Sequence, residues 1–578
     1  MQLSENAQKI LESRYLLKNS DGKIIETPDE LFLRVARFIA KAELSYSTAT
    51  DLQKWEKEFF GVMTELKFLP NSPTLMNAGT SSGQLSACFV LPVEDSIESI
   101  FTTLKNAALI HQSGGGTGFN FSSVRPNGDF ISSNSGTSSG PLSFMKVFDA
   151  ATENIKQGGK RRGANMGILN IDHPDIEEFI TAKNKEGELS NFNISVGIYD
   201  SFMESVLNNS DWDLRHPSSR KSVKKIPAQY LWNLILENSW FSGDPGLIFL
   251  DTINKFNPTP QLGILNCTNP CGEVPLLPYE ACNLGSINVS KFADKKTIDI
   301  NWPELEKTIY IAIRFLDNVI ELNDYLLPEI KALVTGNRKI GLGIMGWADL
   351  LIQLEIPYAS DQAVDLAKKL MQFISEKSRA ASEKLATERG VFKNWEKSIY
   401  HTKQQLRNAT TNSIAPTGTI SIIADASSSI EPLFALVITR KNILNEQTIS
   451  GINEPFVNYM KNKGLYSDGL VRHVEEHGTL SGTNLPDEIK HLFKTALEIA
   501  PEWHLKHQIA FQEHTDNAVS KTINIPTETT IKDIGDIYIE AWRKKAKGIT
   551  IFRQGSKLEQ VLNVGLIKEG YACSVCRN

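Results

Sequence analysis

The chain has 578 residues, 41% of them hydrophobic and 22% charged, which is typical of a globular protein with a large buried core. Its formal net charge of −6 is small for this length and argues against a protein that coats nucleic-acid polymers. The sequence has no recognisable signal peptide and no run of about 18 apolar residues that could span a membrane. We therefore expect a cytoplasmic protein whose thiols are reduced.

The predicted elements change in character along the chain, whose length indicates several domains or one large barrel. Residues 1–70 have the apolar periodicity of helices, and the prolines at 70 and 73 end that region. Residues 71–200 alternate short β-favouring runs with glycine-rich turns, and residues 130–140 are predicted to form a mobile loop. Amphipathic helices between residues 227 and 400 complete a strand-turn-helix alternation that predicts an α/β fold. After Phe552 the chain turns polar, which predicts a tail outside the packed body.

Three glycine-containing segments have features of phosphate sites. Residues 341–346 match G-x-G-x-x-G, but a basic turn precedes them where a Rossmann site needs an apolar strand, so we predict close backbone packing instead. Residues 415–421 combine Pro, Gly and hydroxyl side chains that could receive a phosphate, although most such turns are only helix entries. Lys160 and Arg161 lie in a basic turn that is either a solvated loop or a phosphate contact.

The six cysteines suggest either zinc binding or thiol redox chemistry. Cys88, Cys267, Cys271 and Cys282 do not have a standard zinc-ligand spacing, so no metal site is predicted, although zinc remains the alternative. The C-x-x-C pair near the C-terminus closes a disulfide readily and favours redox chemistry. Asn269 and Glu273 each lie two residues from Cys271 and would share its face of an extended segment.

Six segments together make the chain similar to the catalytic subunits of ribonucleotide reductases, most closely the adenosylcobalamin-dependent class II enzymes. The segments are LPNSPTLMNAG (69–79), SACFVL (86–91), SGGGTGF (113–119), NPCGE (269–273), RKIGLG (338–343) and APTGT (415–419). The resemblance extends from about residue 3 to residue 555 and returns in the tail. It implies an α/β fold in the form of a ten-stranded barrel with two five-stranded parallel halves, a central finger loop, and a helical N-terminal region.

The resemblance implies a role for each residue of the central motif. Cys271 would carry the thiyl radical that abstracts the ribose 3′ hydrogen, Glu273 would take the 3′-hydroxyl proton, and Asn269 would hold the ribose hydroxyls. Cys88 and Cys282 would protonate the leaving 2′-hydroxyl, deliver reducing equivalents and end as a disulfide. Cys267 has no role that the resemblance assigns.

The last cysteine pair would serve as a shuttle. Cys573 and Cys576 would reduce the active-site disulfide again and pass the oxidation to a thioredoxin-like reductant. An extended tail of about 20 residues could span on the order of 65 Å, enough to reach a buried site and an external donor. We therefore expect residues 1–70 to be helical, 71–555 to be the barrel and 556–578 to be a flexible redox tail.

The resemblance also implies nucleotide contacts. Substrate, a ribonucleoside diphosphate, would contact Ser72, Ala87, Gly118, Ala415, Pro416, Thr417, Gly418 and Thr419. A dNTP or ATP effector in the region of about residues 93–170 would contact Asp95, Ser96, Ile97, Arg125, Lys160 and Arg161. In the family the effector lies at a dimer interface, so a homodimer is implied. The family motif S-G-I-E-P reads Ser428-Ser429-Ile430-Glu431-Pro432 here, with serine in place of glycine.

The resemblance to class II enzymes, together with the features missing for the other classes, indicates the source of the radical. A class I large subunit needs an adjacent tyrosine pair near its C-terminus, and no Tyr-Tyr occurs in this chain. Glu273 and the absence of a convincing glycyl motif disfavour the glycyl-radical class. No D-x-H-x-x-G cobalamin motif is present, which is compatible with class II, and we expect no N-terminal ATP-binding cone. We predict adenosylcobalamin as the cofactor, with a class I large subunit and a zinc-stabilised nucleotide-binding module as alternatives.

Overall fold

A computed structural model describes residues 3–46, 49–131, 136–157, 161–185, 187–294, 296–444, 447–556 and 562–564. Its central feature is a parallel five-stranded half barrel that begins at Cys88. The strands are β1 (Cys88–Val90), β2 (Gly116–Asn120), β3 (Asn165–Asn170), β4 (Phe192–Ile198) and β5 (Gly246–Phe249). Each strand pairs in parallel with the next, which requires crossover connections between them.

A second half faces the first and closes the barrel. It contains β6 (Glu280–Asn288), β7 (Ile340–Met345), β8 (Thr522–Ile525) and β9 (Gly548–Arg553). β6 pairs in parallel with β7, and β8 with β9, while isolated parallel bridges at Asn412 and Ile414 connect β7 to Val519, just before β8. Antiparallel pairs β1–β6 and β5–β9 join the halves. The predicted barrel of two parallel halves is confirmed, with residues 412–414 as the tenth strand.

Helices cover the outside of the barrel and the region before it. The N-terminal helices are α1 (Glu5–Ile10), α2 (Pro28–Ala40) and α3 (Ala49–Thr64), followed by α4 (Ser72–Asn77), and a π-helical turn (Leu11–Tyr15) follows α1. Those of the first half are α5 (Ile97–Ser113), α6 (Gly140–Asn154), α7 (Ile176–Ile180), α8 (Asp200–Leu207), α9 (Ala228–Ser242) and α10 (Leu250–Lys255). Those of the second half are α11 (Trp302–Leu322), α12 (Pro328–Asn337), α13 (Trp347–Gln353), α14 (Asp361–Arg389), α15 (Ile420–Ile423), α16 (Glu454–Asn462), α17 (Asp468–His477), α18 (Asp487–Leu492), α19 (Pro501–Gln512) and α20 (Ile531–Arg543).

Local sequence explains where the helices start. Thr27 caps α2 and forms a reciprocal capping box with Glu30, with Pro28 at the first helical position. Ser96 caps α5 and Gly114 ends it in a left-handed conformation. No helix in the described ranges is long and apolar enough to cross a membrane.

Further short strands lie beyond the nine barrel strands, and most of them form antiparallel hairpins. Residues 130–140, predicted to be a mobile loop, contain an antiparallel pair of Phe130–Ile131 with Gly136–Thr137, and residues 132–135 lie outside the described part. The remaining strands are Phe68–Pro70, Lys156–Gln157, Arg161–Arg162, Asp211–Arg215, Ser222–Pro227, Cys267–Thr268, Pro275–Leu276, Ala293–Asp294, Asp299–Ile300, Val437–Leu444, Gln447–Ile452 and Leu562–Val564. The last of these pairs with Val437–Leu444, although it belongs to the predicted tail.

The motif at residues 338–343 is structural. It enters β7, where a Cβ at Gly341 would lie 2.8 Å from the Ser413 Cβ and one at Gly343 would lie 2.4 Å from the Ser413 carbonyl oxygen. The prediction of close backbone packing, rather than a Rossmann site, is therefore confirmed. Arg338 pairs with the buried Asp317. Burial alone would raise the pKa of Asp317, but Arg338 and two further arginines lower it to about 2.

Candidate active site

A hairpin loop occupies the inside of the barrel. Its strands, Cys267–Thr268 and Pro275–Leu276, pair antiparallel, and the residues between them form the tip of the predicted finger. The Asn193 amide of β4 donates a 2.8 Å hydrogen bond to the Pro270 carbonyl. On the other side, the Glu273 carbonyl accepts from the Ser413 hydroxyl at 2.9 Å and from the Ala518 N–H at 2.8 Å. Contacts from both halves thus fix the finger between them.

Gly118 on β2 makes room for the finger. A Cβ built at this position would lie 1.8 Å from the Thr268 carbonyl oxygen, closer than any real contact. The predicted substrate residue Gly118 therefore packs against the finger backbone in this structure. A substrate contact from this glycine stays a prediction.

The finger tip presents Cys271 while it buries Asn269 and Glu273. Gly272 adopts φ +82°, a left-handed conformation that favours glycine, and its N–H donates to the Asn269 carbonyl at 3.1 Å. Cys271 is exposed, whereas Asn269 and Glu273 are each only 2% exposed. The Asn269 side chain accepts from the Val274 N–H at 3.0 Å, so the same residue also fixes the tip.

Cys88 and Cys282 lie directly opposite each other on the antiparallel strands β1 and β6. Opposite residues in such a pair have Cβ atoms about 4.5–5.5 Å apart and project to the same side, close to the 3.5–4.5 Å of a disulfide. The Asn269 amide nitrogen lies 3.1 Å from the Cys88 sulfur and connects the pair to the finger. None of the described cysteines is in a disulfide, and no described group of three His, Cys, Asp or Glu could hold a metal ion.

The facing thiols are held in their protonated form. Burial, the Glu273 carboxylate and the neighbouring Cys282 and Cys271 thiols raise the pKa of Cys88 well above its usual value. Burial likewise raises the pKa of Cys282. Protonated thiols are suited to giving hydrogen to a substrate, because they carry the proton until it is needed.

A cavity of about 900 Å³ opens beside Cys271. Its walls are formed by residues of β4, β5, β8, β9 and the segment 427–436, and Cys271, Gly272 and Pro416 contribute to its lining. Apolar side chains such as Ile248, Phe434 and Ile549 line much of it. Cys271 therefore lies at the border between this cavity and the Cys88–Glu273 environment.

The predicted phosphate residues lie on two elements, α4 and the loop before α15. Ser72 begins α4, whose cap residue Asn71 donates its N–H to the Leu284 carbonyl of β6 at 2.8 Å. Thr417 adopts φ +55° in the loop before α15, and its hydroxyl accepts from the Ser429 N–H at 2.8 Å. Ala87 and Ala415 pack against the apolar cluster that contains Cys88 and Cys282. Gly418 is exposed, and Thr419 precedes the first residue of α15.

The predicted effector residues are partly assembled. The Arg125 side chain and backbone N–H bond to the Asp95 carboxylate at 2.7 and 3.0 Å. Ser96 caps α5 through its hydroxyl, and Ile97 is 62% exposed at the first turn. Lys160 lies outside the described residues, and Arg161 is described only in its backbone. Cys573 and Cys576 also lie outside the described residues.

Lys521 is a cavity residue that the sequence did not indicate. Its ammonium contacts the Glu431 carboxylate and lies 3.1 Å from Nδ1 of His504. Burial lowers the pKa of Lys521, although Glu431 opposes that shift. Lys521 and Glu431 are 90 residues apart, and a pairing over that distance leaves no local pattern in the sequence.

The barrel with a cysteine-tipped finger beside two facing thiols defines an α/β enzyme built for thiol redox chemistry. Two family models match the chain: the ribonucleotide reductase all-alpha domain over residues 1–83 and the ribonucleotide reductase barrel domain over residues 86–552. The chain belongs to the ribonucleotide reductase large-subunit family.

Similar proteins agree with this assignment. The chain is 48% identical to a vitamin B12-dependent ribonucleoside-diphosphate reductase of Thermoplasma acidophilum, over 98% of this chain and 81% of that protein. It is 46% identical to the protein of the same description from Mycobacterium tuberculosis, over 97% and 81%. A solved structure, the class Id ribonucleotide reductase alpha subunit of Actinobacillus ureae, superposes with a TM-score of 0.78 at 25% identity, covering 96% of this chain and 97% of that one.

Proposed function

We propose that the protein reduces ribonucleoside diphosphates to 2′-deoxyribonucleoside diphosphates by thiyl-radical chemistry, with adenosylcobalamin as the radical source. The observation that carries the proposal is the position of Cys271, exposed at the finger tip between a 900 Å³ cavity and the facing thiols. The two relatives named above, from Thermoplasma acidophilum and Mycobacterium tuberculosis, are both described as vitamin B12-dependent ribonucleoside-diphosphate reductases.

The residues fit the cofactor on one side of Cys271. The cavity is wide and largely apolar, and Ile248, Phe434 and Ile549 would hold an adenosyl group beside the thiol. Adenosylcobalamin bound there would supply the radical that oxidises the Cys271 thiol. The protein's part is to present the Cys271 sulfur to that cavity and to limit access from the other side, where Asn269 and Glu273 are buried.

The side chains divide the reaction among them. The Cys271 sulfur removes the 3′ hydrogen atom, and Glu273 takes the 3′-hydroxyl proton while Asn269 holds the hydroxyls. The 2′-hydroxyl leaves as water with a proton from the Cys88–Cys282 pair. That pair closes a disulfide and gives two electrons and its second proton to C2′, Glu273 returns its proton to the 3′-oxygen, and Cys271 returns the hydrogen atom to C3′. One ribonucleotide and one dithiol thus become one deoxyribonucleotide, one disulfide and one water.

We further propose the partners of the cycle. Cys573 and Cys576 would reduce the Cys88–Cys282 disulfide and be reduced by a thioredoxin-like protein in the cytoplasm. A dNTP or ATP effector would bind at Asp95, Ser96, Ile97 and Arg125, with Lys160 and Arg161 closing over it. We propose the domain division 1–70, 71–555 and 556–578 as the frame for these sites, with the effector region at about residues 93–170.

A homodimer completes the proposal. The helices α5 and α6, which lie within the effector region, expose Ile97, Phe101, Leu109 and Val147 by 62%, 48%, 39% and 38%. Apolar exposure of this kind favours a protein interface. The partner that binds this surface would be a second copy of the chain, because the proposed effector residues lie at the start of α5.

The direct test is product formation. The protein is incubated with CDP, dithiothreitol and adenosylcobalamin, and dCDP is measured. We expect product, and we expect Cys271→Ser to abolish it while Cys267→Ala, a change to a buried cysteine on the same finger, retains it. Product that requires an added metal-radical subunit, and none with cobalamin, would instead establish the class I alternative.

The role of the facing thiols has its own control. Cys88→Ser and Cys282→Ser should stop turnover while radical formation continues, which electron paramagnetic resonance can detect. A variant of either residue that still reduces CDP at the wild-type rate would contradict the assigned dithiol.

A further inference from the structure

We infer that Tyr15 is a positioning residue for the substrate's phosphates, acting through the hydroxyl of Ser72. The inference rests on the proposed function, because it names a further part of the same nucleotide site. Tyr15 lies in the N-terminal region, 57 residues before Ser72, and no motif pointed to it.

Tyr15 is buried and reaches the predicted phosphate serine directly. Its side chain is 2% exposed, and its hydroxyl oxygen lies 2.7 Å from the Ser72 Oγ. Tyr15 ends the π-helical turn Leu11–Tyr15, a conformation that is rare and occurs often at functional sites. The Tyr15 hydroxyl at the end of this turn meets Ser72, the first residue of α4.

The same N-terminal segment is anchored at the second phosphate element. Helix α1 packs on α15, which follows the Thr417–Thr419 loop. The Ser4 N–H donates to the Asp425 carboxylate at 3.2 Å, and the Ser4 hydroxyl bonds to the same group. Ser4 and Asn6 also line the cavity beside Cys271. Residues 4–15 therefore connect both elements that were predicted to hold phosphate.

Hydrogen-bond chemistry gives Tyr15 a specific task. A hydroxyl has one proton to donate, and an ionised phosphate oxygen only accepts. When Ser72 donates to a phosphate, its Oγ can only accept from Tyr15, so the tyrosine must be the donor in that pair. The Tyr15 hydroxyl thus directs the Ser72 proton toward the phosphate and fixes the Ser72 rotamer that points it toward the phosphate.

A double-mutant cycle tests the pair. The dissociation constant for CDP is measured by equilibrium dialysis for the wild type, Tyr15→Phe, Ser72→Ala and the double variant. Loss of one hydrogen bond should raise the constant about fivefold in each single variant. Because Tyr15 acts through Ser72, the double variant should bind no more weakly than Ser72→Ala. Cytidine, which lacks phosphate, should bind all four proteins alike.

Activity and stability provide further measurements. We expect Tyr15→Phe to raise KM for CDP with kcat nearly unchanged, and Phe60→Leu, a change at another N-terminal aromatic, to leave KM unchanged. An unchanged dissociation constant in Tyr15→Phe, with or without a lower melting temperature, would overturn the inference. The inference would also be overturned if the two single-variant increases in the dissociation constant multiply in the double variant, because Tyr15 would then act independently of Ser72.

Failure of the proposed function would look different. A wild-type protein that binds CDP but makes no dCDP would contradict the reductase proposal, and the binding cycle would still decide the role of Tyr15. Only the inference would be contradicted if the wild type reduces CDP and the Tyr15→Phe variant has the same dissociation constant for CDP as the wild type. A wild-type protein that does not bind CDP would overturn both.

Discussion

The thiols of Cys88 and Cys282 face each other beside the finger, and burial governs their chemistry. A thiol that gives its hydrogen only to a bound substrate has to stay protonated until then and has to be shielded from other reactive molecules. In the proposed reaction Cys271 has the opposite requirement, because the radical source would have to reach its sulfur. The exposed finger tip and the enclosed pair fit these two proposed roles.

The difference in burial predicts which thiols react. Burial raises the pKa of Cys88, Cys267 and Cys282, so they should resist iodoacetamide at pH 9, where an ordinary thiol is largely ionised. Exposed Cys271 should be alkylated, as peptide mass spectrometry would detect. Protein unfolded in urea is the control and should be labelled at every cysteine, whereas rapid native labelling of Cys88 would contradict the burial.

The same burial predicts how the stability of the protein depends on pH. The buried thiols keep their protons in the folded state, whereas the thiols of the unfolded chain ionise above about pH 8.5. The free energy of unfolding should therefore fall as pH rises above about 8.5.

Ser429 shows strain where the family motif has glycine. Its φ of +49° is left-handed, its side chain is fully buried, and its N–H bonds to Thr417 beside the predicted phosphate loop. Left-handed backbone costs a residue with a side chain about 1–2 kcal/mol. Ser429→Gly should therefore be more stable than Ser429→Ala by about 1 kcal/mol, the reverse of the usual order of these residues. Urea unfolding measures the difference, and an alanine variant that is the more stable of the two would show that the strain is absent.

At the scale of elements, the finger depends on a glycine of a neighbouring strand. We expect Gly118→Ala to displace the Thr268 carbonyl, with which its Cβ would collide, and to move the tip. A displacement of about 1 Å can cost about a hundredfold in rate, so activity should fall by about that factor. Steady-state CDP reduction measures it.

The matched control for that change is Gly61→Ala on α3. No atom lies within 4 Å of a Cβ at Gly61, and the position is helical. The control should keep full activity and gain up to about 1 kcal/mol of stability. A Gly118→Ala protein as active as this control would mean that the finger tolerates the displacement.

The sequence predicted elements whose signals are local. The finger motif, the close packing at Gly341 and the helices before residue 70 were all visible, because each depends on residues near one another in the chain. The tenth strand was not, because residues 411–414 (Thr-Asn-Ser-Ile) are mostly polar and pair through isolated bridges. Likewise Tyr15 and Lys521 gain their contacts only when distant segments meet.

At the scale of the whole molecule, the helices α5 and α6 expose apolar side chains that no other helix covers. Exposed side chains on α5 and α6 lie beside the predicted effector residues, so effector binding and pairing of two chains would share one region. An interface there would let each chain sense the nucleotide bound next to its partner.

The dimer is tested by placing charge on this surface. Phe101→Asp with Val147→Asp should convert a dimer into monomers, because an unpaired carboxylate in an apolar interface costs several kcal/mol. Size-exclusion chromatography with light scattering measures the mass. Phe241→Asp on α9, a position that is 55% exposed, is the control and should leave the dimer intact. In the monomeric variant, dNTPs should no longer change the preference between CDP and ADP, since the proposed effector site lies at the interface between the two chains. If the monomeric variant keeps this response to dNTPs, the effector site does not depend on the α5–α6 surface, and that surface would bind another partner.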